Sequence, residues 1–451
     1  MSSTPPHGVS GWQRDLAPVA PQPALSGDTE ARVVVAGAGL AGLALAYSLV
    51  QSVPADEILV IEADRAGSGA SGRSTGIVGP GVGGPIQGLV KKYGPELATK
   101  MFGASVEGVA AMRRLAKNLP DDSELTDTQQ LMVAKVEAHV TRLRESAQAV
   151  RELGFDARFL DRAQLAEQLG TDHYHGAICY PDAATINPWR LCQALKSALL
   201  AAGVRIAEQT PVTGIEGGDP AVVTAGGYRV HAKTVALTTD GFSREIGVHR
   251  SSIAAIRTHV LRTEVLPAEL LASTGWNGES AVIDSRSFFN YFRMTPQRRL
   301  LFGGGPVMLE QHANPVKIQA VRDRLVRELG EVFPALAGVG IADFWSGVTA
   351  STSDRLPIVG PLPGKPGVWF AGAWSGHGLS MSALTAEMLA PRLAGSGEWP
   401  DGLGTLPWLR VKAGWAPDSR MGAAVLAGYL STLDSADRRA LRKQAQAQAA
   451  N

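Results

Sequence analysis

The sequence predicts an α/β protein in which a parallel β-sheet is interrupted by a second, antiparallel domain. Three observations lead to this fold class. An apolar run from Val33 to Ala36 enters a glycine-rich turn and then an Ala/Leu-rich helix, the pattern of a β–α–β unit. Residues 246–344 carry alternating strand patterns and one long helix, which is typical of an antiparallel sheet. The run from Val368 repeats the order of strand, glycine turn and helix.

The composition limits the classes of function. Lys and Arg number 43 and Asp and Glu 42, so no net field attracts nucleic acid or an anionic membrane. The two cysteines, Cys179 and Cys192, build no disulfide framework, and His173 and His175 have no Cys or carboxylate cluster that would complete a metal site. No run reaches the roughly 18 apolar residues of a membrane span, and residues 1–30 do not resemble a signal peptide. We therefore expect a cytoplasmic protein that acts on a small molecule.

The first glycine turn comprises Gly37, Ala38, Gly39, Leu40, Ala41 and Gly42. Gly37 makes the tight turn, Gly39 lets backbone N–H groups approach a pyrophosphate, and Gly42 lets the helix lie close to the sheet. Glu62 ends the next apolar run, where its carboxylate can accept hydrogen bonds from an adenosine ribose. An acid at this position argues against a 2′-phosphorylated cofactor. The motif predicts an adenine dinucleotide and leaves NAD and FAD open.

Two further glycine-rich stretches favour FAD. Residues 65–84 lack helix or strand periodicity, which is unusual in a compact domain unless the stretch wraps a ligand. The turn from Phe370 to Gly378 precedes another helix, and N–H groups at a helix N-terminus can stabilise the negative charge of a reduced flavin. An ordinary turn ahead of a core helix is the alternative. One long cofactor would explain both glycine turns.

These motifs carry a resemblance to a known family. They are Arg32 to Gly42, Glu62-Ala63, Gly67 to Arg73, Asp354 to Pro357 and Gly376 to Gly378. Over roughly Ser10 to Leu430 the chain resembles the D-amino-acid oxidase (DAO) family of FAD-dependent amine oxidoreductases. Within it, the chain looks most like the gamma-glutamylputrescine oxidoreductase subgroup. The residues shared with that subgroup are Tyr291 to Arg293, Arg299 to Gly305 and Trp345 to Gly347.

The resemblance implies an α/β FAD-binding Rossmann-like domain of the glutathione-reductase type with an inserted antiparallel-sheet α+β substrate domain. The expected ranges are 1–30 for an extended N-terminal tail; 31–90, 160–245 and 345–397 for the FAD-binding domain; 91–159 and 246–344 for the substrate domain; and 398–451 for a C-terminal tail and a helix from Asp434.

The resemblance also implies the cofactor contacts. Besides the first turn and Glu62, the residues expected at the flavin and pyrophosphate are Ala63, Gly69, Ala70, Ser71, Arg73, Ser74, Thr75 and Gly76. Val212 would meet adenine through its backbone, and Thr238, Asp240 and Gly241 would pass near the dinucleotide. The residues expected to hold the isoalloxazine are Ser375, Gly376, His377, Gly378, Leu379, Ser380 and Met381, and Gly347 is also expected at the cofactor. Arg73 as a solvated surface residue is the alternative. Some family members attach the flavin covalently through a Cys, and others through a His near the Ala-Ser-Gly loop. Here Gly347 stands at the Cys position, and residues 63–83 contain no His. A noncovalent FAD is expected.

The substrate side is expected to come from the inserted domain. Alternation along the strand puts Phe289, Tyr291 and Arg293 on one face. Tyr291 could hydrogen-bond a substrate and Arg293 could bind a carboxylate; a packed aromatic and a rim ion pair are the alternatives. Trp374 and His377 lie beside the expected flavin ring and could wall the pocket, although His377 could serve only as a structural donor.

The expected reaction is oxidation of an amine, with O2 as the second substrate and an imine and H2O2 as products. Residues 77–80, Ile-Val-Gly-Pro, lack the Arg that grips a carboxylate in sarcosine-type oxidases, which makes a small amino acid a less favoured substrate. A D-amino-acid-, glycine- or sarcosine-type oxidase therefore stays an alternative. So do a dehydrogenase that passes electrons to a quinone or carrier protein, and a flavin-bound partner protein without turnover.

Overall fold

The structure is a computed structural model. It describes residues 8–17, 19–397, 399, 402–414, 428, 431–432, 435–444 and 446. The helices are α1 Gly11–Arg14, α2 Leu40–Leu49, α3 Ile86–Tyr93, α4 Pro95–Lys117, α5 Val140–Glu152, α6 Arg162–Leu169, α7 Pro188–Ala201, α8 Ala268–Ser273, α9 Pro315–Val332 and α10 Gly378–Ala394. The strands are β1 Thr29–Ala36, β2 Ile58–Ile61, β3 Ile77–Val78, β4 Thr126–Val133, β5 Arg158–Asp161, β6 Gly176–Thr185, β7 Arg205–Ala207, β8 Val212–Glu216, β9 Ala221–Ala225, β10 Tyr228–Leu237, β11 Ala254–Thr263, β12 Ser280–Asp284, β13 Tyr291–Met294, β14 Leu300–Leu309, β15 Ile341–Ser351, β16 Ile358–Pro361 and β17 Val368–Gly372.

The first sheet has the order β16-β17-β10-β1-β2-β7, and β8 joins it through β9. Strands β17, β10, β1, β2 and β7 run parallel. Val33 and Val35 face a core shared with α2 and α10, whereas Val34 and Ala36 face a second core on the other side. A strand of a parallel sheet that is buried on both faces has a continuous apolar sequence, as β1 has from Val33 to Ala36. The predicted β–α–β unit is confirmed.

The second sheet has the order β15-β11-β14-β13-β12-β4-β6-β3, with β5 on β6. Its strand pairs are antiparallel except that β12 and β4 run parallel. Its outer face packs against α9 through residues such as Phe292, Phe302 and Leu325. Its inner face carries a small cluster that comprises Trp12, Trp189, Val260, Leu301 and Trp345. The predicted fold class, a parallel domain with an antiparallel one, is confirmed.

The sheets divide the chain differently from the expected domain ranges. Strand β6 lies within 160–245, yet it pairs with β4 in the second sheet, and β15 crosses the expected boundary at 345. The sequence does not predict β4, which begins Thr-Asp-Thr-Gln-Gln and shows little apolar alternation. The sequence pattern predicts a strand only from Gly176 to Tyr180, although β6 continues to Thr185. The pairing partner decided both, and pairing is not visible in local periodicity.

The N-terminal tail was expected to be extended, but it contains α1. Ser10 and Gln13 form a capping box, in which each side chain accepts a hydrogen bond from the other's backbone N–H. Trp12 of this turn is only 1% exposed. At the other end of the chain, Asp434 lies outside the described residues, and residues 435–444 are helical. The Ser287 backbone N–H donates to Asp437 there, at 2.7 Å.

Candidate active site

The first glycine turn leaves no room for a side chain at Gly37 or Gly42. Gly37 has a φ of 106°, in the region that favours glycine. A Cβ on Gly42 would lie 1.9 Å from the carbonyl oxygen of Gly37 and 2.7 Å from the hydroxyl of Thr238. Helix α2 can therefore approach the sheet only because Gly42 has no side chain. The Thr238 hydroxyl in turn donates to the carbonyl oxygen of Gly37 at 2.9 Å.

The loop after β2 folds over the N-terminus of α2. The Leu40 N–H donates to the Ser71 hydroxyl at 2.8 Å, and a Cβ on Gly39 would lie 3.0 Å from that hydroxyl. The Gly67 N–H donates to the Ala38 carbonyl oxygen at 2.8 Å. N–H groups at a helix N-terminus, with a hydroxyl among them, are suited to a pyrophosphate. The structure therefore brings the two predicted phosphate-binding stretches together.

Glu62 stands at the end of β2, beside the first turn. Its carboxylate accepts from the N–H groups of Ala38 at 2.8 Å and Asp64 at 3.0 Å. Burial raises the pKa of this carboxyl to about 7, against the lowering effect of the two N–H donors. The Thr210 N–H donates to the Glu62 carbonyl oxygen, so the approach to Val212 runs beside this carboxylate. The residues present fit the adenosine end of a dinucleotide.

The second glycine turn leaves the same edge of the sheet as the first. Strands β1, β10 and β17 are adjacent and parallel, so the turns after Ala36 and Gly372 stand two strand spacings apart, about 10 Å. Asp240 supports the second turn, because its buried carboxylate accepts from the N–H groups of Ala350 at 2.9 Å and Ala373 at 2.8 Å. Burial raises the pKa of Asp240. A single extended cofactor can reach both turns.

Residues 375–377 lead into α10, and residues 378–381 form its first turn. Ser375 and Gly376 have positive φ angles of 52° and 96°, and His377 is the residue before the helix. The His377 ring faces Gly81, whose Cβ position would lie 3.6 Å from Cε1 of the imidazole. Burial lowers the pKa of His377 to about 4, so the imidazole is neutral at pH 7. The structure thus joins the second turn to the end of the 65–84 loop.

Trp374 is a buried residue of the second glycine turn. Its side chain is 6% exposed and lies in the main core. It borders a small void between α2 and α10 together with Ala41 and Leu45. The structure therefore places Trp374 in the core beside α10, and its role as a wall of the substrate pocket stays a prediction.

Arg73 is buried, so the alternative of a solvated surface residue is wrong. Its Nε donates to the Ser68 carbonyl oxygen at 2.7 Å, and its Nη1 to those of Gly8 at 2.7 Å and Ser346 at 3.1 Å. Burial lowers the pKa of this guanidinium to about 10. A Cβ on Gly347 would lie 3.2 Å from that of Arg73. Arg73 therefore connects residues 65–84, which we call the cofactor loop, to the N-terminal segment 8–16 and to β15.

The alternation predicted along β13 is confirmed, since Phe292 packs on the outer face of the sheet and Tyr291 on the inner face. A Cβ on Gly303 would lie 2.1 Å from the Tyr291 ring, so the ring covers that glycine. The Tyr291 hydroxyl donates to the His259 carbonyl oxygen at 3.3 Å. Burial raises its pKa to about 12, and the hydroxyl keeps its proton. Phe289, with its ring 6.0 Å away, is 41% exposed.

Arg293 is not placed as a substrate ligand. It is 3% exposed, and its Nε and Nη2 donate to the carbonyl oxygens of Thr75 at 2.5 Å and Ile186 at 2.7 Å. Its guanidinium lies 5.3 Å from the ring centroid of Trp12. Burial lowers its pKa to about 9. The expectation of a carboxylate-binding Arg293 is corrected: it fastens the inner face of the second sheet to the cofactor loop.

Two indoles touch the cofactor loop, and the sequence does not predict these contacts. Trp12 donates to the Ser74 carbonyl oxygen at 2.9 Å, and Trp345 to that of Arg73 at 2.8 Å. The alternating pattern of β15 could have indicated an inward Trp345, but nothing near Trp12 signals burial. Among the described residues, no group of three or more His, Cys, Asp or Glu could hold a metal, and no helix is long and apolar enough to cross a membrane.

Comparison with known proteins agrees with this geometry. The family described as FAD dependent oxidoreductase (DAO) matches residues 32–392. The chain is 29% identical to the gamma-glutamylputrescine oxidoreductase of Escherichia coli K12 over 426 residues, 93% of this chain and 97% of that protein. It is 29% identical to the probable oxidoreductase OrdL of Rhizobium meliloti, over 84% and 87% of the two chains. Among solved structures, glycine oxidase from Geobacillus kaustophilus shares the fold, with a TM-score of 0.70, 20% identity and 84% and 99% of the chains covered. The chain is an FAD-dependent oxidoreductase and belongs to the DAO family.

Proposed function

We propose that the protein oxidises an amine or an N-substituted amino compound and passes the electrons to O2, which yields H2O2. The observation that carries the proposal is that both glycine turns lie at one edge of the first sheet. The cofactor loop contacts the first turn through Ser71 and the inner face of the second sheet through Thr75, so the expected cofactor site lies next to that face. The similarity over nearly the whole chain to an enzyme named for a gamma-glutamyl amine supports an amine as substrate.

The cofactor determines the chemistry, and the chain supplies its setting. Bound FAD would accept a hydride from the carbon next to the amine nitrogen, which leaves an imine for water to hydrolyse to a carbonyl compound. The N–H groups at the start of α10 are positioned for negative charge. The Tyr291 hydroxyl keeps its proton and donates it to the His259 carbonyl oxygen, so toward a substrate N–H this hydroxyl can act as a hydrogen-bond acceptor. The substrate amine must be neutral to release a hydride, and the neutral His377 imidazole adds no charge to the setting of the reaction.

Anaerobic titration of the flavin tests the substrate class. The panel contains polyamines, gamma-glutamyl amines, N-methyl amino acids and D-amino acids, and bleaching near 450 nm reports reduction. We expect the strongest bleaching with a primary or secondary amine. Bleaching by D-amino acids alone would favour the amino-acid oxidase alternative, and a flavin that no amine reduces would favour a partner protein without turnover.

A dehydrogenase is the second candidate, and one observation favours it. Sarcosine-type oxidases use a lysine near the glycine-rich strand for the reaction with O2, whereas β14 begins Leu-Leu-Phe and Leu301 is fully buried. Stopped-flow mixing of the reduced enzyme with air-saturated buffer separates the two. Rapid reoxidation is expected of the oxidase, and slow reoxidation that a quinone accelerates would establish the dehydrogenase.

We also propose that the FAD is noncovalent. Gly347 offers no thiol, and both cysteines are buried and free. Acid precipitation should release the flavin into the supernatant. A yellow pellet would refute the proposal.

A further inference from the structure

The N-terminal segment 8–16 lies between the cofactor loop and the inner face of the second sheet. It precedes the family match, which begins at Arg32. We propose that Trp12 is a positioning residue for FAD, which acts by holding residues 72–74 of the cofactor loop in the shape that binds the flavin. The inference rests on the proposed role of that loop.

Two indoles hold neighbouring carbonyl groups of the loop. Trp12, only 1% exposed, donates from Nε1 to the Ser74 carbonyl oxygen at 2.9 Å. Trp345, 2% exposed, donates from Nε1 to the Arg73 carbonyl oxygen at 2.8 Å. A carbonyl oxygen in a dry interior requires a donor, so the indoles favour this loop conformation over others.

A third carbonyl in the row is held in the same way. The Ser10 hydroxyl donates to the Gly72 carbonyl oxygen at 2.9 Å, in a buried contact. Three successive carbonyls, 72–74, therefore accept side-chain donors from outside the loop, and residues 10–12 supply two of these donors. Ser71, which receives the Leu40 N–H at the start of α2, directly precedes the row. If the donors were lost, a change in the conformation of residues 72–74 would therefore affect the expected pyrophosphate site through Ser71.

The segment is fixed on the second sheet by charge and by shape. Arg14 pairs with Asp343 at 2.7 Å, and Arg262 pairs with both Asp15 and Asp343. A Cβ on Gly11 would lie 2.8 Å from Nε of Arg262, so this glycine permits the close contact. Contacts with the second sheet therefore fix the positions of Ser10 and Trp12. Their hydrogen bonds to the cofactor loop do not depend on bound cofactor.

The test measures FAD affinity of the full-length protein after removal of the cofactor, by quenching of flavin fluorescence, beside the Tm of the apoprotein. Trp12→Phe keeps the ring and deletes the N–H. The Kd for FAD should rise about tenfold, because the Ser74 carbonyl loses its donor and residues 72–74 can then leave the conformation that binds the cofactor. Trp345→Phe should act in the same direction. Trp276→Phe is the matched control, since Trp276 is 2% exposed but lies in the outer core against Phe333; its Kd should stay within about twofold.

Wild-type affinity in Trp12→Phe would overturn the inference, whatever happens to the Tm. An equal loss of affinity in Trp276→Phe would overturn it as well, because the effect would then follow stability alone. The proposed function fails on a different result, a wild-type holoprotein whose flavin no amine reduces. That result leaves the comparison of FAD affinities intact.

Discussion

The first glycine turn and the inner face of the second sheet both border the cofactor loop, but they are built in opposite ways. At the turn, backbone meets backbone: the position of a Cβ on Gly42 is 1.9 Å from the Gly37 carbonyl oxygen. On the sheet face, long buried side chains such as Arg293 and Trp345 reach the loop through donors to its carbonyl groups. The turn excludes side chains, whereas the sheet face depends on them. The two regions should therefore respond differently to substitution.

The largest effect is expected at the turn. Gly42→Val places a side chain where the Gly37 carbonyl stands, so α2 must move off the sheet and the purified protein should carry no FAD. The ratio of absorbance at 450 nm to that at 280 nm measures the bound flavin. Gly88→Ala in α3 is the control, because nothing lies within 4 Å of its Cβ position. Full flavin content in Gly42→Val would contradict the steric account.

On the sheet face, Arg293→Gln should lower stability rather than act on the substrate alone. It removes donors from the carbonyls of Thr75 and Ile186, and an unpaired buried carbonyl costs about 1–3 kcal/mol. Urea unfolding measures the loss, with Arg322→Gln, at a side chain 38% exposed, as control. Unchanged stability with a raised KM for an anionic substrate would restore the carboxylate-binding role.

Glu62 sharpens the comparison through pH. Because burial raises its folded pKa to about 7 from an ordinary value near 4.5, the folded apoprotein holds a proton that the unfolded chain has lost. The resulting stabilisation is complete below about pH 4.5 and disappears as the pH rises through about 7. Unfolding of the apoprotein at pH 5 and pH 7.5 should show this fall, and Glu62→Gln should lack it. An equal fall in the variant would assign the effect to another group.

The smallest effect is expected for Tyr291→Phe. The Tyr291 hydroxyl donates to the His259 carbonyl oxygen at 3.3 Å, and a net hydrogen bond contributes about 1 kcal/mol. We expect stability to change by no more than this while kcat/KM falls, since the variant loses the hydroxyl oxygen that can accept a hydrogen bond from the substrate. Steady-state kinetics beside urea unfolding checks both. Unchanged kcat/KM would make Tyr291 a packing residue.

Much of the site could be predicted where the requirement is local. The steric demands on Gly37 and Gly42, the acid at Glu62 and the alternation of Tyr291 and Phe292 follow from backbone geometry over a few residues. The partners could not be predicted. Arg293 meets the carbonyl of Thr75, which lies far away in the sequence, and no local pattern shows that this guanidinium is buried.

The sequence by itself determined the binding of an adenine dinucleotide, the parallel β–α–β unit and the presence of an antiparallel domain, because glycine sterics and apolar periodicity act over short stretches of chain. Only the tertiary structure decided that β6 joins the second sheet, that Trp374 belongs to the core and that the N-terminal segment holds the cofactor loop. These outcomes depend on which distant groups can satisfy buried donors and acceptors, and that is settled when the sheets pack together.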